Sequence, residues 1–238
     1  MPEFFNVLPP AQALKVLLDR LEPRPVSPAM DVPITEALGR VTAQVTHATE
    51  DLPSFPRSTM DGYSLRAADT FGASEGTPAY FTIAGDVPMG KPAGVSVGTG
   101  NAALAYTGGM LARGADAVIM VENTQQVDAT TIEVIRPVAH GENVVQPGED
   151  VKRGEVILPA GHYLRPQDLG GLTAMGITAV SVAAKPRVAI LSLGDEVVAP
   201  EATPSGGQIR DINTYTISAL VEQAGGVPLP LGIVKDNY

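Results

Sequence analysis

The chain has 238 residues, 44% of them hydrophobic, which is enough for one large domain or two domains of ordinary size. Its formal net charge of −10 opposes binding to nucleic acid, and the absence of cysteine excludes disulfides, thiolate metal sites and a cysteine nucleophile. The N-terminus lacks the features of a signal peptide, and no apolar run is long enough to span a membrane. These features predict a soluble cytoplasmic protein.

The first predicted element is an amphipathic helix at residues 9–21. Its leucines recur at the spacing that places side chains on one helix face, and we expect this face to pack in the core. A Pro-Pro pair is typical of the helix start, and the segment EPRPVSP predicts its end. Residues 30–48 predict short strands around a turn at Leu38-Gly39. The leucines of the helical face are Leu14, Leu17, Leu18 and Leu21.

The middle of the chain, from about residue 60 to 145, predicts a β-rich region. Short runs of β-branched, aromatic and aliphatic residues are separated by clusters of Gly and Pro, which indicates a sheet or a small barrel. Residues 147–161 continue this pattern, and residues 166–175 predict a short helix. The runs are GYSLRA, AYFTIAG, NAALAYT, DAVIMVE and TIEVIRP.

The pattern changes after Lys185-Pro186, where three elements predict a βαβ unit. The run RVAILSLGD is typical of a strand buried on both faces. The segment NTYTISALVEQAGG predicts a helix with Asn213 as its N-cap and Gly225 as its stop, and VPLPLGIVKD predicts a second strand. Because two parallel strands leave their edges open, we expect further chain or a partner chain to cover them.

These elements predict an α+β and α/β multidomain protein. Residues 1–184 are predicted to form a β-rich N-terminal region that contains a sheet or a small barrel at about 50–145. Residues 185–238 form the first, incomplete βαβ unit of a doubly wound α/β domain.

Two familiar site motifs are not supported by the sequence. The segment GDVPMGKP resembles a phosphate-binding loop, but Pro92 has no hydroxyl for magnesium and no helix is predicted after it. The histidines His47, His140 and His162 lack the spacing of a zinc site.

The dipeptide Asp61-Gly62 has two interpretations. Asp-Gly between two runs with strand character is typical of a tight hairpin turn, because both residues tolerate positive φ. The alternative is that Asp61 has a chemical role. Other acids favour it, because Asp195, Glu196 and Asp236 follow the carboxyl ends of the two predicted parallel strands, where α/β sheets bind ligands. Together these acids predict a pocket for a hard cation such as Mg²⁺.

Four separate blocks resemble one family, in the same order along the chain. They are DLPSFPRSTMDGYSLRAADT, YTGGMLARGADAVIMVENT, PGEDVKRGEVILPAG, and ILSLGDEV followed by GGQIRDINTYTISALVEQAG and LGIVKD. They are similar to the molybdopterin molybdotransferases, which include the MoeA proteins and the E domain of gephyrin. The resemblance extends from about residue 9 to residue 236. It implies that residues 1–184 form two β-rich subdomains with bifurcated sheets and a small barrel, the middle subdomain at about 50–145 being inserted.

The resemblance implies a role in molybdenum cofactor biosynthesis. Members of the family insert molybdate into the dithiolene of adenylylated molybdopterin, release AMP and require Mg²⁺. The positions that match the family's motifs imply catalytic roles for Asp61, Thr107, Asp150 and Glu196. They imply cofactor-binding roles for Gly194, Asp195 and Asp236, and Mg²⁺ ligation by Asp61, Asp195 and Glu196.

The resemblance also implies partners and departures. The family forms homodimers, and the molybdopterin adenylyltransferase is a further expected partner. T-G-G-M replaces the usual T-G-A-P, and Leu193 stands where Thr is common. Members usually continue past this length with a glycine-rich phosphate loop and a further domain, so the chain is expected to be truncated at its C-terminus. The alternatives are a non-catalytic binding or dimerisation form of the family, or an unrelated Mg²⁺-dependent enzyme acting on phosphates.

Overall fold

A computed structural model of the chain describes residues 8–20 and 28–236. The predicted end of the first helix, at Leu21 and the segment after it, lies outside these residues. The contacts divide the chain into two compact units. Unit 1 comprises the residues up to Gln44, Pro159–Leu169 and the residues from Thr178 onward, and unit 2 comprises Val45–Leu158 and Gly170–Ile177. The boundary expected between residues 184 and 185 stays a prediction.

The described residues form α-helices and mostly short strands. The helices are α1 (Pro10–Arg20), α2 (Pro166–Ala174) and α3 (Asn213–Gln223). The strands are β1 (Ala29–Pro33), β2 (Thr46–His47), β3 (Arg57–Ser58), β4 (Gly62–Leu65), β5 (Ala79–Asp86), β6 (Asn101–Ala105), β7 (Ala117–Met120), β8 (Thr124–Gln126), β9 (Thr131–Val134), β10 (Val144–Val145), β11 (Val156–Leu158), β12 (Ala179–Ala183), β13 (Arg187–Leu193), β14 (Val197–Val198), β15 (Ile209–Arg210) and β16 (Val227–Val234).

Unit 2 is built on a six-stranded sheet with the order β7-β4-β6-β5-β9-β8. Neighbouring strands are antiparallel except for β5 and β6, which are parallel. In β9, Ile132 and Val134 are buried while Thr131 and Glu133 are partly exposed, as expected for alternating strand faces. The sheet curls into a half-barrel and confirms the predicted β-rich region. Its core includes Leu65, Phe81, Ile119, Ile132 and Val134.

Short antiparallel pairs add to the β structure, and β14 and β15 form a short parallel pair. In unit 2, β2 pairs with β11 and β3 pairs with β10. In unit 1, β1 pairs with β12 and buries Val32, Val180 and Val182. The predicted turn at Leu38-Gly39 is present, with Gly39 at φ 72°. The segment GDVPMGKP closes β5 and continues as a loop, as the sequence predicts.

The predicted βαβ unit is confirmed, because β13 and β16 are parallel and α3 lies between them in the chain. Burial of β13 on both faces is wrong for the described residues: Ile190 is buried, whereas Leu191 and Leu193 are exposed. β13 pairs with β16, and α3 contacts both strands, but the described residues leave Leu191 and Leu193 without cover. A continuous apolar run predicts a strand that requires cover, without saying which chain supplies it.

The predicted core packing of α1 is also wrong. Leu14, Leu17 and Leu18 are each more than half exposed, and no residue of this helix is buried. Helical spacing of leucines identifies an apolar face. The surface that covers this face need not belong to the same chain. No helix in residues 8–20 and 28–236 has the length and apolar character required to cross a membrane.

Candidate functional site

Gly62 is the first residue of β4, a strand paired on both sides. It lies opposite Ala105 of β6 and Met120 of β7, and its φ is not positive. A Cβ atom on Gly62 would lie 1.9 Å from the carbonyl oxygen of Ile119. The hairpin-turn interpretation of Asp61-Gly62 is therefore wrong. Glycine is required because the backbone of β7 approaches closely.

Asp61 precedes β4 and is exposed, and its carboxylate binds the turn that follows β6. The backbone N–H and the hydroxyl of Thr107 both donate to Oδ1 of Asp61, at 2.8 and 2.9 Å. The turn is closed by the N–H of Gly109, which donates to the carbonyl of Tyr106 at 2.8 Å, and Gly108 has φ 80°. Two of the residues predicted for the site are thus brought together. Among the described residues, none donates to Oδ2 of Asp61.

The two hydrogen bonds from Thr107 lower the pKa of the Asp61 carboxyl below its ordinary value, and the backbone N–H has the larger effect. Asp61 is therefore ionised at neutral pH. A carboxylate with a lowered pKa is a weak base, so it is better suited to accept hydrogen bonds or to face a cation than to remove a proton.

The substitution Thr107→Val tests this pair. It removes the hydroxyl donor and keeps the backbone N–H, so we expect the pKa of Asp61 to rise part of the way to its ordinary value. The pKa is measured by NMR titration of the carboxyl carbon. The matched control is Thr130→Val, because Thr130 donates to Asp128 through the same two groups. An unchanged Asp61 titration in Thr107→Val contradicts the described geometry.

Asp150 makes its hydrogen bond and its ion pair with residues other than Asp61 and Thr107. Its Oδ2 forms an ion pair of 3.3 Å with Arg57 of β3, and both side chains are largely exposed. Its backbone N–H donates to the carbonyl of Leu52 at 2.9 Å. An exposed ion pair of this kind adds little stability. The catalytic role expected for Asp150 stays a prediction.

The remaining predicted residues lie in unit 1, where the parallel strands β13 and β16 end. Gly194, Asp195 and Glu196 follow β13, and Asp236 follows β16. The N–H of Asp236 donates to Oδ1 of Asp195 at 3.2 Å. The Nζ of Lys235 donates to the carbonyl of Asp195 at 2.8 Å. The structure therefore brings Asp195 and Asp236 together, as expected for strands whose carboxyl ends meet at one sheet edge.

Gly194 allows the chain to turn sharply at this edge. Its φ is 143°, and an added Cβ would lie 2.7 Å from Oε2 of Glu196 and 2.9 Å from Val197. Glu196 is exposed, and its carbonyl accepts a hydrogen bond of 2.9 Å from Ile209. The roles predicted for Gly194, Asp195, Glu196 and Asp236 stay predictions.

The sequence analysis missed a buried polar cluster at the start of α3. Oδ2 of Asp211 accepts hydrogen bonds from the hydroxyls of Ser192, at 3.0 Å, and Thr214, at 2.6 Å. The N–H of Thr214 donates to Oδ1 of Asp211, so Asp211 supplies the side-chain cap predicted for Asn213, which is instead the first helical residue. These bonds, chiefly those from Thr214, lower the pKa of Asp211. The D-x-x-T spacing ahead of the helix was the available signal.

A family profile described as the MoeA N-terminal region (domain I and II) matches residues 8–176, which is more than half of the chain. The chain belongs to the MoeA family. The match includes β4, the Asp61–Thr107 pair and Asp150, and it confirms the resemblance for the first three of the four blocks.

Other MoeA proteins match over most of this chain. The molybdopterin molybdenumtransferase of Nostoc sp. is 34% identical over 206 residues, which cover 87% of this chain and 47% of that protein. The enzyme of the same name from Staphylococcus aureus is 30% identical, covering 97% and 53%. A solved molybdopterin biosynthesis moeA protein from Pyrococcus horikoshii is 39% identical with a TM-score of 0.86, covering 97% and 61%. The chain spans about half the length of the curated relatives.

The magnesium site implied by the resemblance to MoeA is not assembled by side chains of the described residues. Among residues 8–20 and 28–236, no three His, Asp or Glu side chains are grouped so that they can hold a metal ion. Asp61 belongs to unit 2, whereas Asp195 and Glu196 belong to unit 1. Their assignment as metal ligands stays a prediction.

Proposed function

We propose that this chain acts in molybdenum cofactor biosynthesis as a molybdopterin molybdotransferase, which inserts molybdate into adenylylated molybdopterin and releases AMP. The observation that carries the proposal is the match of residues 8–176 to the MoeA family, a region that contains the Asp61–Thr107 pair. Matching relatives are named molybdopterin molybdenumtransferases, and that name describes those longer proteins.

The proposed reaction joins an oxyanion to a dithiolene. Two Mo–S bonds form, and one molybdate oxygen leaves as water with the two thiol protons. Cleavage of the phosphoric anhydride consumes one water and releases AMP, and molybdenum keeps its oxidation state. The reaction therefore requires groups that orient donors on the substrate and groups that tolerate the charge of phosphate and molybdate.

We assign Asp61 the role of an ionised hydrogen-bond acceptor. Oδ1 is held by Thr107, so Oδ2 is the oxygen that is oriented toward a donor group of the substrate or toward a cation. Asp61 does not act as the principal base, because the hydrogen bonds from Thr107 lower its pKa. Thr107 acts by holding this carboxylate through two hydrogen bonds. Asp150 supplies a further acidic group in unit 2.

The acids that follow β13 and β16 are proposed to act on the phosphate part of the substrate. Mg²⁺ is commonly bound by one or two carboxylates together with substrate phosphates, so a set of three side chains is not required. The proposed ligands are Asp195 and Glu196 in unit 1 and, separately, Asp61 in unit 2, and the N–H of Asp236 holds the Asp195 carboxylate in place. When bound, Mg²⁺ would offset the negative charge of the phosphates.

The proposed partners are a second copy of the chain and the molybdopterin adenylyltransferase that supplies the adenylylated substrate, in the cytoplasm. The exposed apolar face of α1, formed by Leu14, Leu17 and Leu18, is consistent with burial in a homodimer. A second candidate function is binding or dimerisation without turnover. It is favoured by the same exposed apolar face of α1, which supports association whether or not the chain turns over substrate.

The test is molybdate insertion by the full chain, with and without Mg²⁺, in the wild type, Asp61→Asn and the control Asp128→Asn. Asp61→Asn keeps an oxygen for Thr107 and removes the charge, and we expect turnover to fall at least tenfold. Asp128 binds its threonine through the same two groups but lies on another loop, so its substitution leaves turnover unchanged. Equal turnover in all three proteins removes Asp61 from the chemistry.

Calorimetric titration with molybdate or with adenylylated molybdopterin separates the two candidate functions. Binding without turnover supports the second, and binding with turnover supports the first. Titration with AMP in the presence and absence of Mg²⁺ tests the acids at the strand ends. Equal affinity in both conditions rules out their role as a magnesium site for phosphate.

A further inference from the structure

Ser58 is a buried polar residue of β3, and its backbone contacts the turn that carries Thr107. It is 2% exposed. Its N–H donates to the carbonyl of Gly109 at 2.9 Å, and its carbonyl accepts from the N–H of Gly108 at 2.7 Å. Two hydrogen bonds therefore attach Ser58 to the residues directly after Thr107.

The side chain of Ser58 is directed to the other loop, which leads into Asp61. Its hydroxyl donates to the carbonyl of Met60 at 2.5 Å and lies 3.2 Å from the N–H of Met60, from which it accepts. The hydroxyl thus closes the turn at residues 58–60, immediately before Asp61. A serine that bonds its own backbone two residues on is a common way to hold such a turn.

The strand that carries Ser58 is held on its far side. Ser58 lies opposite Val144 of β10, and the N–H of the next residue, Thr59, donates to the carbonyl of Asn143 at 3.0 Å. Ser58 is therefore fixed between β10 and the Thr107 turn. It is hydrogen-bonded to the loops of both members of the pair, and its hydroxyl bonds to Met60, the residue before Asp61.

We propose that Ser58 is a positioning residue, whose hydroxyl sets the carboxylate of Asp61 against Thr107. The structural part of this inference rests on the hydrogen bonds described above. Its effect on catalysis rests on the proposed function. Loss of the hydroxyl leaves the bonds to Gly108 and Gly109 intact, because both are made by the backbone of Ser58. We therefore expect the fold to be retained and the change to be confined to the orientation of Asp61.

The structural test compares hydrogen-exchange rates of single backbone amides by NMR in Ser58→Ala and a matched control. The control is Ser64→Ala, because Ser64 is also buried and its hydroxyl also makes two hydrogen bonds, to Ala103 and Ala112. We expect the Thr107 amide, which donates to Asp61, to exchange about fivefold faster in Ser58→Ala. In Ser64→Ala its rate stays at the wild-type value.

Rescue completes the structural test. Ser58→Thr retains the hydroxyl and is expected to restore the wild-type rate at Thr107. If Ser58→Ala does not fold, Ser58→Cys, with its weaker donor, takes its place. Equal Thr107 rates in Ser58→Ala and Ser64→Ala, or an unprotected Thr107 amide in the wild type, overturn the proposal.

The kinetic test measures whether the position of the Asp61 carboxylate affects turnover. In a chain that inserts molybdate, we expect Ser58→Ala to lower kcat about tenfold with little change in KM for molybdate, because a misplaced group affects the transition state more than binding. An unchanged kcat beside a faster Thr107 exchange overturns the kinetic part. A wild-type chain without turnover counts against the proposed function, and the exchange rates then decide the role of Ser58.

Discussion

Gly62→Ala is expected to lower the free energy of unfolding of unit 2 by about 4 kcal/mol, or to prevent its folding. The added Cβ would overlap the carbonyl oxygen of Ile119, which is backbone and cannot move aside like a side chain. Relief requires β4 and β7 to separate, and this breaks the pairing of Gly62 with Met120 at the edge of the six-stranded sheet. It also displaces Asp61, the residue before Gly62.

The measurement for Gly62→Ala is urea unfolding followed by circular dichroism, with amide exchange in β4 and β7. Gly94→Ala is the matched control, because Gly94 lies in the same unit, is exposed, has no positive φ, and has no atom within 4 Å of the added Cβ. We expect its stability to stay close to that of the wild type. A stable Gly62→Ala protein with unchanged β7 exchange would falsify the close approach described for β4 and β7.

Asp211→Ala is expected to increase local opening of α3 about a hundredfold, measured as faster exchange of its backbone amides. The carboxylate caps the helix through the N–H of Thr214 and holds the hydroxyls of Thr214 and Ser192. Its removal leaves the first turn of the helix without a cap and leaves two partly buried hydroxyls without their common acceptor. The control is Asp128→Ala, which loses two hydrogen bonds from Thr130 on an exposed loop. We expect the exchange rates of the α3 amides to change less than twofold in this variant.

The effect of Asp211 is expected to depend on pH. Its pKa is lowered in the folded chain, so its stabilising contribution is present above the ordinary carboxyl pKa of about 3.9 and is lost as the pH falls through the lower folded value. Acidification from about pH 5 should therefore weaken the NMR signals of α3 in the wild type more than in Asp211→Asn. Equal acid sensitivity of the two proteins contradicts the role of this carboxylate.

Local pattern predicted the elements of the fold well, because short apolar runs bounded by Gly and Pro have few alternative structures. The runs that became β4, β5, β6, β7 and β9 were identified from sequence, as were α2 and the βαβ unit. Strand neighbours were not predictable, since the parallel pairing of β5 with β6 depends on contacts between distant residues. Burial was overestimated in α1 and β13, because an apolar face does not specify its cover.

The site was only partly predictable for a related reason. Asp-Gly is the same dipeptide in a hairpin turn and before a closely packed strand, and only Ile119, far along the chain, distinguishes the two. Thr107 was suggested by resemblance, whereas its bond to Asp61 required the fold. Ser58 and Asp211 resemble ordinary loop residues in sequence, and their roles depend on partners that only tertiary structure supplies.

The interleaving of the two units has a consequence for biosynthesis. The polypeptide passes between the units four times. The strands β1 and β12 pair with each other although residues 34–178 separate them in sequence. During synthesis, β1 leaves the ribosome early and cannot pair until β12 has been made. Residues 45–158 can fold around their own sheet before that point. We therefore expect the nascent chain to acquire order from its middle outward, with closure of the β1–β12 ladder as a late step that carries a large entropic cost.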